Sequence, residues 1–103
     1  MSNFIIEKNK ESVEIRFTDN LVSNSVEILR NTLKKLLSEN VPEIIMNFRD
    51  IDMIDSMGIG LLVSTHNTLS ARDSHLVLIN LSSDLLELFT VMRLNEFFTI
   101  RGE

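Results

Sequence analysis

After two opening strands, the chain alternates helix-like and strand-like apolar patterns three times. Each segment with apolar residues at helical spacing is followed by a short apolar run typical of a strand. Strands that alternate with helices favour parallel pairing through right-handed crossovers. We therefore predict a single α/β domain over residues 1–103, with a mixed, mostly parallel sheet of five strands and three main helices.

The opening segment predicts an antiparallel hairpin. Val13, Ile15 and Phe17 alternate with polar residues, which is the pattern of a strand with one buried face. A polar turn at residues 8–12 separates this strand from an apolar stretch at residues 4–6. The remaining strands are predicted at residues 44–48, 76–79 and 97–100. The first of these three runs lacks alternation, which is typical of a strand covered on both faces.

Polar residues before each helical stripe predict where the helices begin. Asn24 followed by Glu27 indicates a capping box for the first helix. Residues 82–84 offer caps for the third helix, and Asp84 with Glu87 indicates a box there. The predicted core positions are Val26, Leu29, Leu33, Leu36, Leu37, Met46, Ile59, Leu62, Val63, His66, Leu69, Leu85, Leu88, Phe89 and Met92.

The composition excludes several classes of function. Without cysteine, the chain has no thiolate metal site and no cysteine nucleophile. A net charge of −5 without a basic patch disfavours nucleic acid and anionic membranes as partners. No run approaches the ~18 apolar residues of a transmembrane helix, and no signal peptide is readable. We expect a cytoplasmic protein without cofactor or metal that is a monomer or a weak dimer.

Residues 49–60 form a segment that packing alone does not explain. Its acidic and small residues are Asp50, Asp52, Asp55, Ser56, Gly58 and Gly60. The segment follows a predicted central strand, and in open parallel sheets ligands and partners bind at the carboxyl ends of strands. Each glycine lowers helix propensity by about 1 kcal/mol relative to alanine. Close approach of another backbone, or looseness that presents the serine to a kinase, would explain them.

The hydroxyl of Ser56 is the predicted working centre of this segment. With Asp55 as the helix cap, Ser56 takes the first helical position and its hydroxyl is exposed. From chemistry alone, a capping serine and a phosphoacceptor are equally good interpretations. A phosphate would add nearly two negative charges beside the aspartates. In a dry interface this charge would disrupt a complex without refolding the domain.

The run Ile54–Leu62 carries a family motif. Its core, D-S-x-G-[IL]-G after the third strand, resembles the STAS domain of bacterial anti-sigma factor antagonists, and the resemblance covers residues 11–100. It implies a non-enzymatic switch: the unphosphorylated protein binds an anti-sigma factor, often a serine kinase, and releases the sigma factor. It also implies that phosphorylation of Ser56 breaks the complex and that a PP2C-type phosphatase restores it. The predicted contact surface is Asp55, Ser56, Met57, Gly58, Ile59 and Gly60, with Met53 either an adaptable contact or loop packing.

Two positions depart from the family pattern. Relatives usually carry G-x-L-D after the second strand, whereas this chain has Asp19 at the glycine position and Val22 at the acidic position. In the family the acidic residue lies near the partner surface, so part of that contact changes. The chain also stops at Glu103 without the final helix of many relatives, and we expect a minimal version of the domain.

Other functions remain as alternatives. A STAS scaffold, such as a subunit of a stressosome-like or lipid-transport ATPase assembly, would not depend on the state of Ser56. A hydrolase triad of Ser56, Asp55 and His66 is disfavoured, because the helix separates Ser56 from His66 by about 15 Å. Asp50 and Asp52 are expected to be solvated and not to bind magnesium.

Overall fold

The computed structural model describes residues 3–101, which form the predicted order of elements. The strands are β1 (Phe4–Lys8), β2 (Val13–Phe17), β3 (Glu43–Asn47), β4 (His75–Ile79) and β5 (Thr99–Arg101). The helices are α1 (Ser23–Leu37), α2 (Ser56–Ser70) and α3 (Ser83–Val91). Within this part of the chain, no helix is long and apolar enough to cross a membrane. The prediction that no helix follows the last strand concerns residues 102–103, which lie outside the described residues.

The five strands form one sheet in the order β1-β2-β3-β4-β5. β1 and β2 are antiparallel and the other neighbouring pairs are parallel, as predicted. Because each parallel strand lies beside the preceding one, right-handed crossovers place all three helices on one face. Ile15, Met46 and Leu78 are fully buried in the core on this face. Ile45 alternates to the opposite face and is only half-buried, so the prediction of a strand covered on both faces is wrong there.

The start of α1 differs from the prediction. Its N-cap is Val22, and not Asn24. The buried hydroxyl of Ser25 accepts a hydrogen bond of 3.0 Å from the Val22 N–H, which is the role that the sequence assigned to Glu27. A bridge to Ile54, in the loop that precedes α2, holds Leu21 in an extended conformation. Val22, the next residue, is therefore the N-cap of α1.

The third helix uses the first of its three predicted caps and ends earlier than the prediction. Ser82 is its N-cap and accepts a hydrogen bond of 3.1 Å from the N–H of Leu85, so the predicted box of Asp84 and Glu87 is not the cap. The helix ends at Val91, and the side chain of Met92 is 47% exposed. The helical stripe predicts Met92 in the core, but the helix ends one residue before it. That prediction is wrong.

Candidate functional site

The loop before α2 is joined to the segment before α1. The Leu21 N–H donates to the Met53 carbonyl, and the Asp55 N–H donates to the Leu21 carbonyl, both at 3.2 Å. The Asn20 Oδ1 accepts from the N–H of Asp52, also at 3.2 Å. Leu21 is fully buried, so these bonds fix the loop at the carboxyl edge of the sheet. Sequence reasoning missed this anchor, although the match of Leu21 to the leucine of the family motif was a signal for it.

The first turn of α2 presents Ser56 to solvent. Asp55 is the N-cap, and its Oδ1 accepts a hydrogen bond of 3.0 Å from the Gly58 N–H. This bond satisfies one of the amide groups that a helix start leaves open, and the negative charge complements the helix dipole. Ser56 is the first helical residue and is exposed. The predicted cap and the predicted exposure of Ser56 are therefore confirmed.

The two glycines of this turn have different surroundings. A Cβ atom on Gly58 would lie 2.6 Å from Cγ1 of Ile54 and 3.1 Å from the Leu21 carbonyl oxygen, which is too close for an unshifted contact. A Cβ atom on Gly60 would meet no atom within 4 Å. Packing within the fold thus favours glycine at position 58 and places no such demand on position 60. Tight packing within the chain, mainly against the Ile54 side chain and also against the Leu21 carbonyl, accounts for Gly58 and is only in part the close backbone approach that the sequence suggested.

The predicted contact residues divide into exposed and buried groups. Ser56, Met57 and Gly60 are exposed, and Asp55 is half-buried. Gly58 and Ile59 are buried within the chain, so the accessible surface is narrower than the predicted run of six residues. Met53 and Met57 have 56% and 46% of their surface exposed. The outer face of this turn therefore consists of a hydroxyl, a bare helix backbone and two flexible apolar side chains.

An acidic groove of about 390 Å³ runs along the loop at the carboxyl ends of β2, β3 and β4. It is lined by Thr18, Asp19, Asn20, Arg49, Asp50, Ile51, Asp52 and Ser82. The Asp50 carboxylate lies 3.9 Å from Arg16 Nε, and both side chains are about half exposed, so this pair is weak. Within residues 3–101, no cluster of three or more His, Cys, Asp and Glu residues is placed to hold a metal ion. The groove can attract a basic group of a partner.

His66 belongs to an aromatic cluster on α2 and the segment before β5. Its ring centroid lies 4.4 Å from that of Phe97 and 5.8 Å from that of Phe98. Its Nε2 is 3.5 Å from the Ser70 Oγ, one turn further along the helix. The imidazole therefore packs against aromatic rings at the edge of the core, as the helical stripe predicts. These contacts indicate a packing role for His66 and not the activation of Ser56.

Comparisons with known proteins agree on the family. The sequence matches the STAS domain family over residues 3–103. It is 26% identical over 101 residues to the anti-sigma-B factor antagonist of Bacillus subtilis (strain 168), covering 98% of this chain and 92% of that protein. Structures of the anti-sigma factor antagonist SpoIIAA, described as a Bacillus cell fate determinant, are also similar. The unphosphorylated form is 26% identical with a TM-score of 0.78, covering 97% of this chain and 88% of that one.

The phosphorylated form of SpoIIAA is 27% identical, again with a TM-score of 0.78, and the match covers 97% of this chain and 92% of that one. An anti-sigma-factor antagonist (STAS) domain protein of Planctomyces limnophilus has the same fold. It is 15% identical with a TM-score of 0.83, covering 97% of this chain and 90% of that one. Since the family match includes nearly every residue of the sheet, the helices and the Ser56 loop, the chain belongs to the STAS domain family.

Proposed function

We propose that this chain is an anti-sigma factor antagonist controlled by phosphorylation of Ser56. The unphosphorylated protein binds an anti-sigma factor that is also a serine kinase, and the sigma factor is thereby released. Phosphorylation of Ser56 breaks the complex, and a PP2C-type phosphatase restores it. The chain acts by binding and is not an enzyme, and one STAS domain over residues 1–103 carries the function.

The observation that carries this proposal is the exposed hydroxyl of Ser56 at the start of a capped helix in a STAS domain. Two relatives support it by name, as an anti-sigma-B factor antagonist and an anti-sigma factor antagonist. SpoIIAA also exists in an unphosphorylated and a phosphorylated form. A kinase can reach Ser56 without local unfolding, because neither the cap nor the core uses its hydroxyl in any described hydrogen bond.

The acidic surroundings explain how a phosphate would act. At neutral pH it adds about −1.5 to −2 charges. The start of α2 favours this charge, but Asp55 is adjacent and the groove with Asp50 and Asp52 belongs to the same loop. Consider a partner that presents basic groups to the aspartates and apolar groups to Met57. A phosphate on Ser56 would add charge and volume at the centre of that interface. Binding is therefore lost while the fold is kept.

The departures from the family motif alter the edge of this surface. Asp19 lines the acidic groove, where it adds a charge that a glycine would not have. Val22 is the N-cap of α1 and is 36% exposed, so it replaces a charged contact with an apolar one. We infer that the partner of this chain carries an additional basic group near Asp19 and an apolar group near Val22.

The test is binding to the source organism's candidate anti-sigma factor kinases, each purified and measured against three forms of the chain. Wild type and Ser56→Ala should bind the same kinase with similar affinity, whereas Ser56→Asp should lose it. Incubation with that kinase and ATP should phosphorylate wild type at Ser56, as located by mass spectrometry, and should leave Ser56→Ala unmodified.

Ser83 provides a matched control for added charge. It is the first residue of α3, follows a capping side chain and is exposed, as Ser56 is in α2. Ser83→Asp should bind as wild type does. Equal binding by wild type and Ser56→Asp would contradict the switch and favour a STAS scaffold that ignores the state of Ser56.

A further inference from the structure

A second groove lies between α1 and α2, further along the helices than Ser56. Its volume is about 270 Å³. It is lined by Arg30, Leu33, Lys34, Leu37, Leu61, Ser64, Thr65 and Thr68. Leu33 and Leu61 are buried and form an apolar floor. The switch residue is absent from this lining, and the family motif ends before most of the α2 residues that contribute to it.

Short side chains on α2 keep this groove open. The Thr65 Oγ1 donates to the Leu61 carbonyl at 2.7 Å, and the Ser64 Oγ donates to the same carbonyl at 3.1 Å. The Thr68 Oγ1 donates to the Ser64 carbonyl at 3.0 Å. Because the hydroxyls turn back onto their own helix, they do not reach across to α1. The α2 wall is therefore low and presents mainly carbon atoms.

The α1 wall of the groove is basic. It carries Arg30 and Lys34 in a chain whose net charge is −5. The Nε of Arg30 is buried and makes no hydrogen bond, although Glu27 Oε1 lies 3.5 Å away. At the far end, Arg72 donates to the Leu37 carbonyl and adds a third positive charge.

The groove begins one helical turn beyond the predicted partner surface. Met57, which is exposed, lies one turn before Leu61 on the same side of α2. Ser64 is eight residues after Ser56, which corresponds to about 12 Å along the helix. A partner helix of ordinary length that contacts Ser56 therefore extends over the groove when it runs along α2.

We propose that the groove between α1 and α2 binds an acidic helical segment of the same partner that contacts Ser56. Apolar residues of this segment cover Leu33 and Leu61, and its carboxylates face Arg30 and Lys34. The interface then has two poles: the acidic loop binds basic groups of the partner, and the groove binds acidic ones. This inference rests on the proposed function and adds the chemistry of the partner, because opposite charges at two ends fix the orientation of binding.

Lys34 and Lys35 provide a matched test. Both are exposed and both lie in the last turn of α1, where a positive charge favours the helix end, but only Lys34 is part of the groove lining. Binding to the kinase identified with wild type is measured for Lys34→Glu, Lys35→Glu and Arg30→Gln. We expect Lys34→Glu to weaken binding by about tenfold or more and Arg30→Gln by about threefold or more. Lys35→Glu should remain within about twofold of wild type.

A zero-length carbodiimide cross-linker gives a readout that does not depend on folding of a variant, since it joins an ammonium group to a carboxylate in contact. Wild-type complex should yield a cross-link from Lys34 to an Asp or Glu of the kinase. Equal binding losses for both lysine variants, or a cross-link from Lys34 to a second copy of this chain, would overturn the proposal. If either of these results is obtained while Ser56→Asp still abolishes binding in the same assay, the proposed function stands and only the groove proposal fails. If no kinase binds wild type, both fall.

Discussion

Gly58 lies so close to Ile54 that a methyl group on the glycine would be 2.6 Å from Cγ1 of Ile54. The Leu21 carbonyl oxygen, at 3.1 Å, limits movement on the same side. The same Leu21 carbonyl accepts a hydrogen bond from the Asp55 N–H. These contacts join the start of α2, the loop before it and the segment before α1. The position of Ser56 thus depends on a glycine two residues away.

Gly58→Ala should lower the stability of the domain. Overpacking at such a contact costs about 1–3 kcal/mol, and the higher helix propensity of alanine offsets up to about 1 kcal/mol of it. We expect the free energy of unfolding to fall by about 1–2 kcal/mol, measured by urea denaturation. An unfolding midpoint equal to that of wild type would show that Ile54 moves aside without cost.

Gly60→Ala is the matched variant, and its expected effect on stability has the opposite sign. No atom would contact the new methyl group, so the helix propensity of alanine should raise the free energy of unfolding by up to about 1 kcal/mol. If a partner backbone approaches this turn, the same methyl group should weaken kinase binding by roughly tenfold, which is about 1.4 kcal/mol. Stabilisation with unchanged binding would remove Gly60 from the proposed contact surface.

The contrast between these glycines shows what the sequence could and could not provide. The motif and the strand–helix alternation predicted the sheet, the three helices, the Asp55 cap and the exposure of Ser56. They could not separate Gly58 from Gly60, because that difference depends on the side-chain orientation of Ile54 and on Leu21, which only tertiary packing brings to this turn. For the same reason, the sequence treated Gly58 as a surface contact.

The start of α1 shows a second limit of sequence patterns. Asn24 and Glu27 have the spacing of a capping box, but the bridge at Leu21 fixes the extended segment and begins the helix earlier. Once Val22 takes the N-cap position, the residue three places on is Ser25. Propensity ranks asparagine above valine as a cap, and the tertiary contact overrides that ranking.

Ser25→Ala should therefore be more costly than Asn24→Ala. The Ser25 Oγ accepts from the Val22 N–H at 3.0 Å and lies 2.7 Å from the Val22 carbonyl oxygen, and the residue is buried. Loss of these bonds leaves the Val22 N–H with only its longer, 3.2 Å bond to the Asn20 carbonyl, at a cost of about 1 kcal/mol. Asn24→Ala should change the free energy of unfolding by less than about 0.5 kcal/mol, since Asn24 is exposed. If urea denaturation showed a larger loss of stability for Asn24→Ala than for Ser25→Ala, the capping box of Asn24 and Glu27 would be favoured after all.

Two methionines test the corrected core. Met46 is fully buried in β3, whereas Met92 follows the end of α3 and is 47% exposed. Met46→Ala should cost about 2–5 kcal/mol through a cavity in the core. Met92→Ala should cost less than about 1 kcal/mol, because little buried area is lost. Comparable unfolding midpoints for the two variants would mean that Met92 packs on the core after all.

The last prediction concerns the folded state of the switch itself. A negative charge at the first position of α2 gains from the helix dipole by about 0.3–1 kcal/mol and is opposed by the neighbouring Asp55 charge. Ser56→Asp should therefore keep the free energy of unfolding within about 0.5 kcal/mol of wild type, and so should Ser56→Ala, since Ser56 is exposed. Circular dichroism with urea titration measures both. A loss of several kcal/mol in Ser56→Asp alone would show that the added charge acts by unfolding the first turn, and binding data from that variant would then report on stability instead of on charge at the interface.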